Sequence, residues 1–292
     1  MSTLGDLINS IASSLHSYSG VQENSTYLTS SVLSTDLTFP VAASDSVMRG
    51  IAEVDDELVY VDTAANGALT ITPFGRGYRG TTATSHAQNT QVISDPSFPR
   101  AEIRKAIDQA ILGMYPNLFQ IKTTDLTYSP SPVGYSLPAD VDDILDVKFL
   151  VTGDPVNYWQ PIYNYSLDTT SPLTNGKALN LFDFLPAGST IRVVYQAPFG
   201  TFASTSDTLT SIGLKEDWAD LIGYAVTSRM VRFLDPARLQ IPAVENASRS
   251  QYVAAGDAGK VANQLYAMYQ QRLAEERKQL LTLIPSRINF QR

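Results

Sequence analysis

The C-terminal stretch GDAGKVANQLYAMYQQRLAEERKQLLTLIPSRINFQR, residues 256–292, sets the reading of the fold. Ala262, Tyr266, Tyr269, Leu273 and Leu280 fall at four- and three-residue steps, with Glu276 in the remaining position, which puts them on one face of a helix. Val261, Leu265 and Met268 widen that face, and Arg272, Glu275, Arg277 and Lys278 take the rest of the surface. Pro285 stops the helix, because it lacks an amide hydrogen and its ring clashes with the turn behind it. The tail after it, Ser286 to Arg292, is too short to fold alone yet carries Ile, Phe and two Arg. On these residues alone two readings stand: a frayed terminus, the common state of chain ends, or a segment that docks on a partner.

Outward from this helix the same spacing recurs. Leu4, Leu7, Ile8, Ile11 and Leu15 predict a helix over 3–18, with Thr3 and Asp6 as a capping box that has Asp in the Glu place. Ile103, Ile107, Ala110, Ile111 and Met114 predict one over 97–115, opened by Ser97 and Pro99 and closed by Pro116. Trp218, Leu221, Ile222, Ala225, Met230 and Phe233 predict another, ending near Asp235-Pro236, with a short piece around 245–254 before the long helix.

Between the helices the period is two. Val54, Leu58, Tyr60, Leu69 and Ile71 predict strands near 38–42, 47–52, 57–62, 68–72 and 90–93 of a small barrel-like antiparallel domain, with Asn66-Gly67 as a hairpin turn. The Ser/Thr-rich connector before it has no clear period. From Phe119 to Phe202 strands are expected at Tyr135-Ser136-Leu137-Pro138, 144–151, 158–163, 178–181 and 190–195, in a β-sandwich or a curled sheet.

The expected fold class is α+β. A helical-bundle hub of an N-terminal helix (1–20), a central helix (97–118) and C-terminal helices (211–284) carries two inserted antiparallel β domains (21–96 and 119–210), with an extended docking tail (285–292). Short helices are marginal alone and need one another's apolar faces. A row of independent domains is the competing arrangement.

Composition narrows the chemistry. A chain of 292 residues that is 43% hydrophobic can bury a core. Its net charge of −8 makes it a poor sequence-independent binder of nucleic acid, since that affinity comes from Lys and Arg on phosphates. The absence of cysteine excludes disulfides, Cys-based zinc sites and thiol catalysis. His16 and His86 lie far apart, which leaves little for a His-rich metal site, and no cofactor is expected. No apolar run reaches the length of a membrane span, and no secretion signal opens the chain. Asp55-Asp56-Glu57 and Asp140, Asp142, Asp143 raise a glycosidase or cation site, but adjacent loop acids are more often solvated surface. No Gly-x-Ser-x-Gly elbow marks a hydrolase. Trp159 and Trp218 are expected to be core anchors. Arg100, Arg104 and Lys105 are expected on a solvated helix face or in an interface salt bridge.

The most specific stretch is Gly75-Arg76-Gly77-Tyr78-Arg79-Gly80-Thr81, followed by Ser85-His86 and Thr90-Gln91-Val92. It matches GxGxxG formally, but no helical pattern opens after it, as a dinucleotide site requires. Arg76 and Arg79 are suited to grip a carboxylate or phosphate. The plainer reading is a structural loop of Gly75, Arg76, Gly77, Gly80 and His86, in which Arg and His tie the loop to nearby carbonyls.

Together with Glu57-Leu58-Val59-Tyr60-Val61, this stretch resembles an element that recurs in tailed-bacteriophage virion proteins. Phe98-Pro99-Arg100 through Ile107 to Tyr115-Pro116, then Tyr135-Ser136-Leu137-Pro138, resembles siphophage head-to-tail connector (adaptor) proteins. The likeness covers roughly residues 53–200. Asn89 stands where a glycine is more usual in that turn. The resemblance implies a non-enzymatic ring, usually of twelve copies, stacked under the portal protein and leading double-stranded DNA to the tail. Its neighbours would be the portal and a tail-side stopper or tail terminator, and its place the head-tail interface of the virion, with the host cytoplasm during assembly. An acidic lumen repels phosphates and lets DNA slide without specific binding. With the resemblance admitted, the tail is expected to dock on the portal through Arg287, Ile288, Asn289 and Phe290, adding a strand to an exposed sheet edge. Ile288 and Phe290 share a face of an extended chain. The rival is a tail or baseplate β-module in which Arg76 and Tyr78 contact a host glycan.

Overall fold

The computed structural model describes residues 2–19, 23–130, 134–153, 156–232 and 257–284. They divide into two compact units. Unit 1 comprises Met1–Ala110, Phe202–Thr208 and Glu216–Tyr269, and unit 2 comprises Ile111–Thr201, Leu209–Lys215 and Gln270–Arg292.

Unit 1 opens with α1 (Leu4–Ser19). The capping box forms as the sequence predicts: the Thr3 amide donates to the Asp6 carboxylate and the Asp6 amide to Thr3 Oγ1, both at 3.1 Å. Leu4, Leu7, Ile8, Ile11 and Leu15 are all buried. Six strands follow: β1 (Asn24–Tyr27), β2 (Thr38–Pro40), β3 (Gly50–Val54), β4 (Glu57–Ala65), β5 (Ala68–Ile71) and β6 (Gln91–Ser94). They form one antiparallel sheet in the order β1-β6-β3-β4-β5-β2. It curls into a half-barrel whose edge strands are tied by a Leu28–Val41 bridge. Phe39, Val41, Val54, Val59, Val61, Leu69, Ile71 and Val92 fill its inside. The β4–β5 turn has Asn66 and Gly67 at φ 53° and 73°, the type I′ pattern of a two-residue hairpin. Strand β1 lies in the connector that has no readable period. Its one inward residue is Thr26, whose hydroxyl accepts the Ala43 amide, so the strand lacks an apolar signal.

The next helix is α2 (Arg100–Met114), with Ile103, Ile107, Ile111 and Met114 buried. Unit 2 holds β7 (Gln120–Thr127), β8 (Tyr135–Ser136), β9 (Asp143–Val151), β10 (Tyr158–Pro161), β11 (Tyr165–Asp168), β12 (Ala178–Leu181) and β13 (Thr190–Ala197). A four-stranded sheet, β10-β9-β13-β7, and a three-stranded one, β11-β12-β8, share a core in which Ile144, Val147, Ile191 and Val193 meet Leu179. Strand β7 is not predicted by the sequence, because Lys122, Thr123, Thr124 and Asp125 leave little apolar alternation on a half-exposed edge.

Among the described residues two helices follow: α3 (Ala219–Val231), packed against α1, and α4 (Asp257–Thr282). The buried stripe of α4 is Ala258, Ala262, Tyr269, Leu273, Glu276 and Leu280. Tyr266 and Met268, expected on this face, are exposed; Tyr266 instead stacks near Tyr269 and under Arg232.

The expected fold class is overturned. Among the described residues there are four α-helices beside mostly antiparallel sheets, not a helical-bundle hub carrying inserted β domains. The reason lies in burial. Each β segment closes a core from its own strand and loop residues, with no described α-helix contributing to it. The residues of α2 and of α4 are divided between the two units. A helical period shows that a face is covered, not that another helix covers it.

Candidate functional site

Strand β4 begins with a carboxylate on its inward side. Glu57, Val59 and Val61 share one face by the two-residue period, and all three are fully buried. The Glu57 carboxylate accepts five hydrogen bonds: Arg76 Nε at 2.7 Å, Arg76 Nη2 at 3.0 Å, the amides of Gly77 at 2.9 Å and Thr84 at 3.0 Å, and His86 Nε2 at 2.9 Å. A guanidinium has five N–H donors. The other three reach the carbonyls of Leu33 at 2.8 Å, Asp36 at 2.7 Å and Thr84 at 2.6 Å. Every donor of Arg76 is therefore used.

His86 is held at both ends of its ring. Nδ1 pairs with Asp55 at 2.8 Å while Nε2 pairs with Glu57. Its backbone exchanges both hydrogen bonds with Val32, at 2.8 and 2.9 Å. Phe39 lies against both cations, 4.9 Å from the Arg76 guanidinium and 6.2 Å from the His86 ring. Burial alone would raise the Glu57 carboxyl, but the hydrogen bonds from His86, Arg76, Thr84 and Gly77 outweigh it and hold the group down to about 2. Burial would likewise lower His86, but hydrogen bonds and charge from Asp55 and Glu57 raise it to about 9. The imidazolium is thus the stable form at neutral pH. Two acids face two cations, and the cluster carries no net charge.

The loop is shaped to reach this arrangement. A Cβ on Gly75 would stand 2.7 Å from the Tyr60 carbonyl oxygen, so the close approach excludes a side chain. Gly77 has φ 60°, which turns its amide toward Glu57. Thr81 Oγ1 accepts the Leu58 amide at 3.1 Å and donates to the Tyr78 carbonyl at 2.9 Å. Asn89 sits at φ 68°, in the left-handed region that Asn tolerates, so it replaces the more usual glycine without breaking the turn.

The expectation that Arg and His tie the loop to carbonyls is half right. Arg76 does so, whereas His86 binds carboxylates. Arg76 is 7% exposed and fully engaged, which removes it as a glycan contact, and Tyr78 is half-buried against Tyr60. Asp55 and Glu57 stood in the sequence only as loop acids expected on a solvated surface, not as partners of this loop; Asp55 is half-exposed, whereas Glu57 is fully buried. The available signal was a charged residue at an inward register position of a strand.

The remaining candidates are dispersed. Asp56 pairs with Arg100 at 3.0 Å, Asp140 with Lys122 at 2.8 Å, and Asp142 with the Tyr115 hydroxyl. Among the described residues no group of three or more His, Cys, Asp or Glu is placed to hold a metal ion. Arg104 donates to the carbonyls of Phe202 and Ala203, and Lys105 to that of Arg79. Trp218 is buried in the core as expected, while Trp159 is only partly buried, 4.3 Å from the Arg192 guanidinium. Arg287, Ile288, Asn289 and Phe290 lie outside the described residues. No helix among the described residues is long and apolar enough to cross a membrane. Compared with protein-family models and with curated proteins, the chain matches neither.

Proposed function

We propose that the chain is a structural subunit of a tailed-bacteriophage neck. In this reading it is a non-catalytic adaptor that forms a ring, twelve-fold by analogy, between the portal protein and the tail. Double-stranded DNA passes through the lumen without specific binding, and Arg287, Ile288, Asn289 and Phe290 dock on the portal. The observation that carries the reading is the closed Glu57–Arg76–His86 cluster. Gly75, Arg76, Gly77, Thr81 and His86, which bear the resemblance to phage virion proteins, all serve one internal scaffold. A net charge of −8 supports passage of DNA past the chain rather than attachment to it. The test is electron microscopy of the portal mixed with the full chain and with a chain truncated after Ile284. Rings on the portal from the full chain alone are expected. Undiminished rings from the truncated chain overturn the docking assignment, and no ring from either overturns the neck reading.

A further inference from the structure

Strand β7 pairs with β13 and with no other described strand. Just past its end, the Tyr128 amide donates to the Ser189 carbonyl at 2.8 Å, and the Tyr128 carbonyl accepts the Gly188 amide at 2.9 Å. By the alternation of an antiparallel ladder, Gln120, Lys122, Thr124 and Leu126 bond to β13, while Ile121, Thr123, Asp125 and Thr127 turn their amides and carbonyls to the free edge. Among the described residues no backbone hydrogen bond from a turn or loop reaches those four. The other described sheet ends are short or closed. Strands β8, β10 and β11 have two, four and four residues, and β10 ends in Pro161. The Leu28–Val41 bridge ties the edges of the half-barrel.

Exposed edges are commonly blunted by a proline, a bulge or a projecting charge. Strand β7 has no proline, its register with β13 is unbroken over eight residues, and its two charges are engaged within the sheet: Lys122 with Asp140 at 2.8 Å and Asp125 with Arg192 at 2.7 Å. The end of the chain starts close by, within the same unit. Arg277 of α4 donates to the Asn117 side chain at 3.0 Å, and Asn117 lies three residues before Gln120, where β7 begins. From Arg277 to Ile284 is about 10 Å at helical rise. Pro285 to Arg292 then supplies eight residues, about 26 Å when extended, which is the length of β7. Ile288 and Phe290 alternate with Arg287, Asn289 and Gln291, so an extended tail has one apolar and one polar face. Strand β7 has the same two faces: Leu126 packs against the core of unit 2, while Thr123, Asp125 and Thr127 are exposed.

We infer that, before portal contact, the tail of each copy adds as a strand to the free edge of its own β7, with Ile288 and Phe290 on the side of Leu126. Main-chain hydrogen bonds to Ile121, Thr123, Asp125 and Thr127 hold it there. The edge is then covered in the free chain, which suppresses pairing between free copies. The tail cannot pair with a portal edge until it leaves β7, so docking is an exchange of one strand pairing for another. Only this exchange step rests on the docking reading above; the covered edge does not.

Hydrogen exchange of the full chain and of the chain truncated after Ile284 tests it. The amides of Ile121, Thr123, Asp125 and Thr127 are expected to exchange about tenfold slower in the full chain, with those of Lys122, Thr124 and Leu126 unchanged. That protection is expected to vanish when portal protein is added. Equal exchange in the two chains overturns the inference and leaves the neck reading standing, because rings on the portal are scored separately. Protection that persists in portal-bound rings overturns the exchange step. Protection without any portal ring overturns the neck reading alone. The chain has no cysteine, so Thr123→Cys combined in turn with Arg287→Cys, Asn289→Cys and Gln291→Cys reports whose tail is bound. A disulfide within one chain is expected in at least one pair. Disulfides only between chains, or none, overturn the assignment to the chain's own tail.

Discussion

Replacing Glu57 by glutamine keeps the side chain's size and removes its charge. The carboxylate accepts five hydrogen bonds from buried donors. An amide offers one oxygen with two lone pairs, and its own N–H groups would face other N–H groups. Five donors against two lone pairs leave three without an acceptor, and Arg76 loses the counter-charge that made its burial tolerable. Removing one partner of a buried ion pair costs about 3–5 kcal/mol, set against about 5–15 kcal/mol for a whole domain. At a urea slope of about 2 kcal/mol per molar, the midpoint of unit 1 should fall by about 2 M. Urea unfolding followed by circular dichroism measures this, and hydrogen exchange at the Gly77 and Thr84 amides localises it. The Glu57→Gln/Arg76→Gln double variant should be less destabilised than the sum of the single ones by about 2 kcal/mol. A midpoint shift under about 0.3 M, or additive losses, would refute the claim that this cluster holds the loop.

The cluster also sets a pH window. Glu57, held at about 2 against an ordinary 4.5, contributes stability that is present above pH 4.5 and lost as pH falls through 2. His86, raised to about 9 from 6.5, contributes stability that is full below pH 6.5 and lost as pH rises through 9, about 3 kcal/mol in all. Glu53, which burial pushes up to about 8 against the Arg100 amide, declines over pH 4.5 to 8 in the same direction. Urea midpoints at pH 6 and pH 9.5 should therefore differ in the wild type and differ less in His86→Gln; equal differences would discard the histidine assignment. Gly75→Ala should cost about 1–3 kcal/mol by overpacking against Tyr60 and Ile71, and a thermal midpoint within a degree of wild type would contradict that crowding. Arg192→Ala, by contrast, breaks a half-exposed pair with Asp125 and should cost less than about 1 kcal/mol, read by the same urea curves.

What the sequence disclosed and what it withheld divide along a physical line. Local periodicity located α1, α2, α3 and α4, the Asn66-Gly67 hairpin and most strands, because each leaves its pattern within a few residues. Strands β1 and β7 left none, since a hydroxyl fills the one inward place of β1 and charged pairs decorate β7. The hub failed for a different reason. Ala262, Tyr269 and Leu273 announce a covered helix face, but what covers it is a long-range fact that no local period carries. The site divides the same way. Gly75, Arg76, Gly77 and His86 were legible as a loop under special backbone demands, whereas Glu57, the common acceptor of Arg76, Gly77 and His86, precedes Arg76 by 19 residues on strand β4. The one local trace of it was a charge in an inward register position. A buried charge persists only beside a partner, so such a residue predicts that a cation must arrive from elsewhere in the chain. Here the nearest arginine in a glycine-flanked turn is the one that does, and the same rule lets a single misplaced acid point to a tertiary contact.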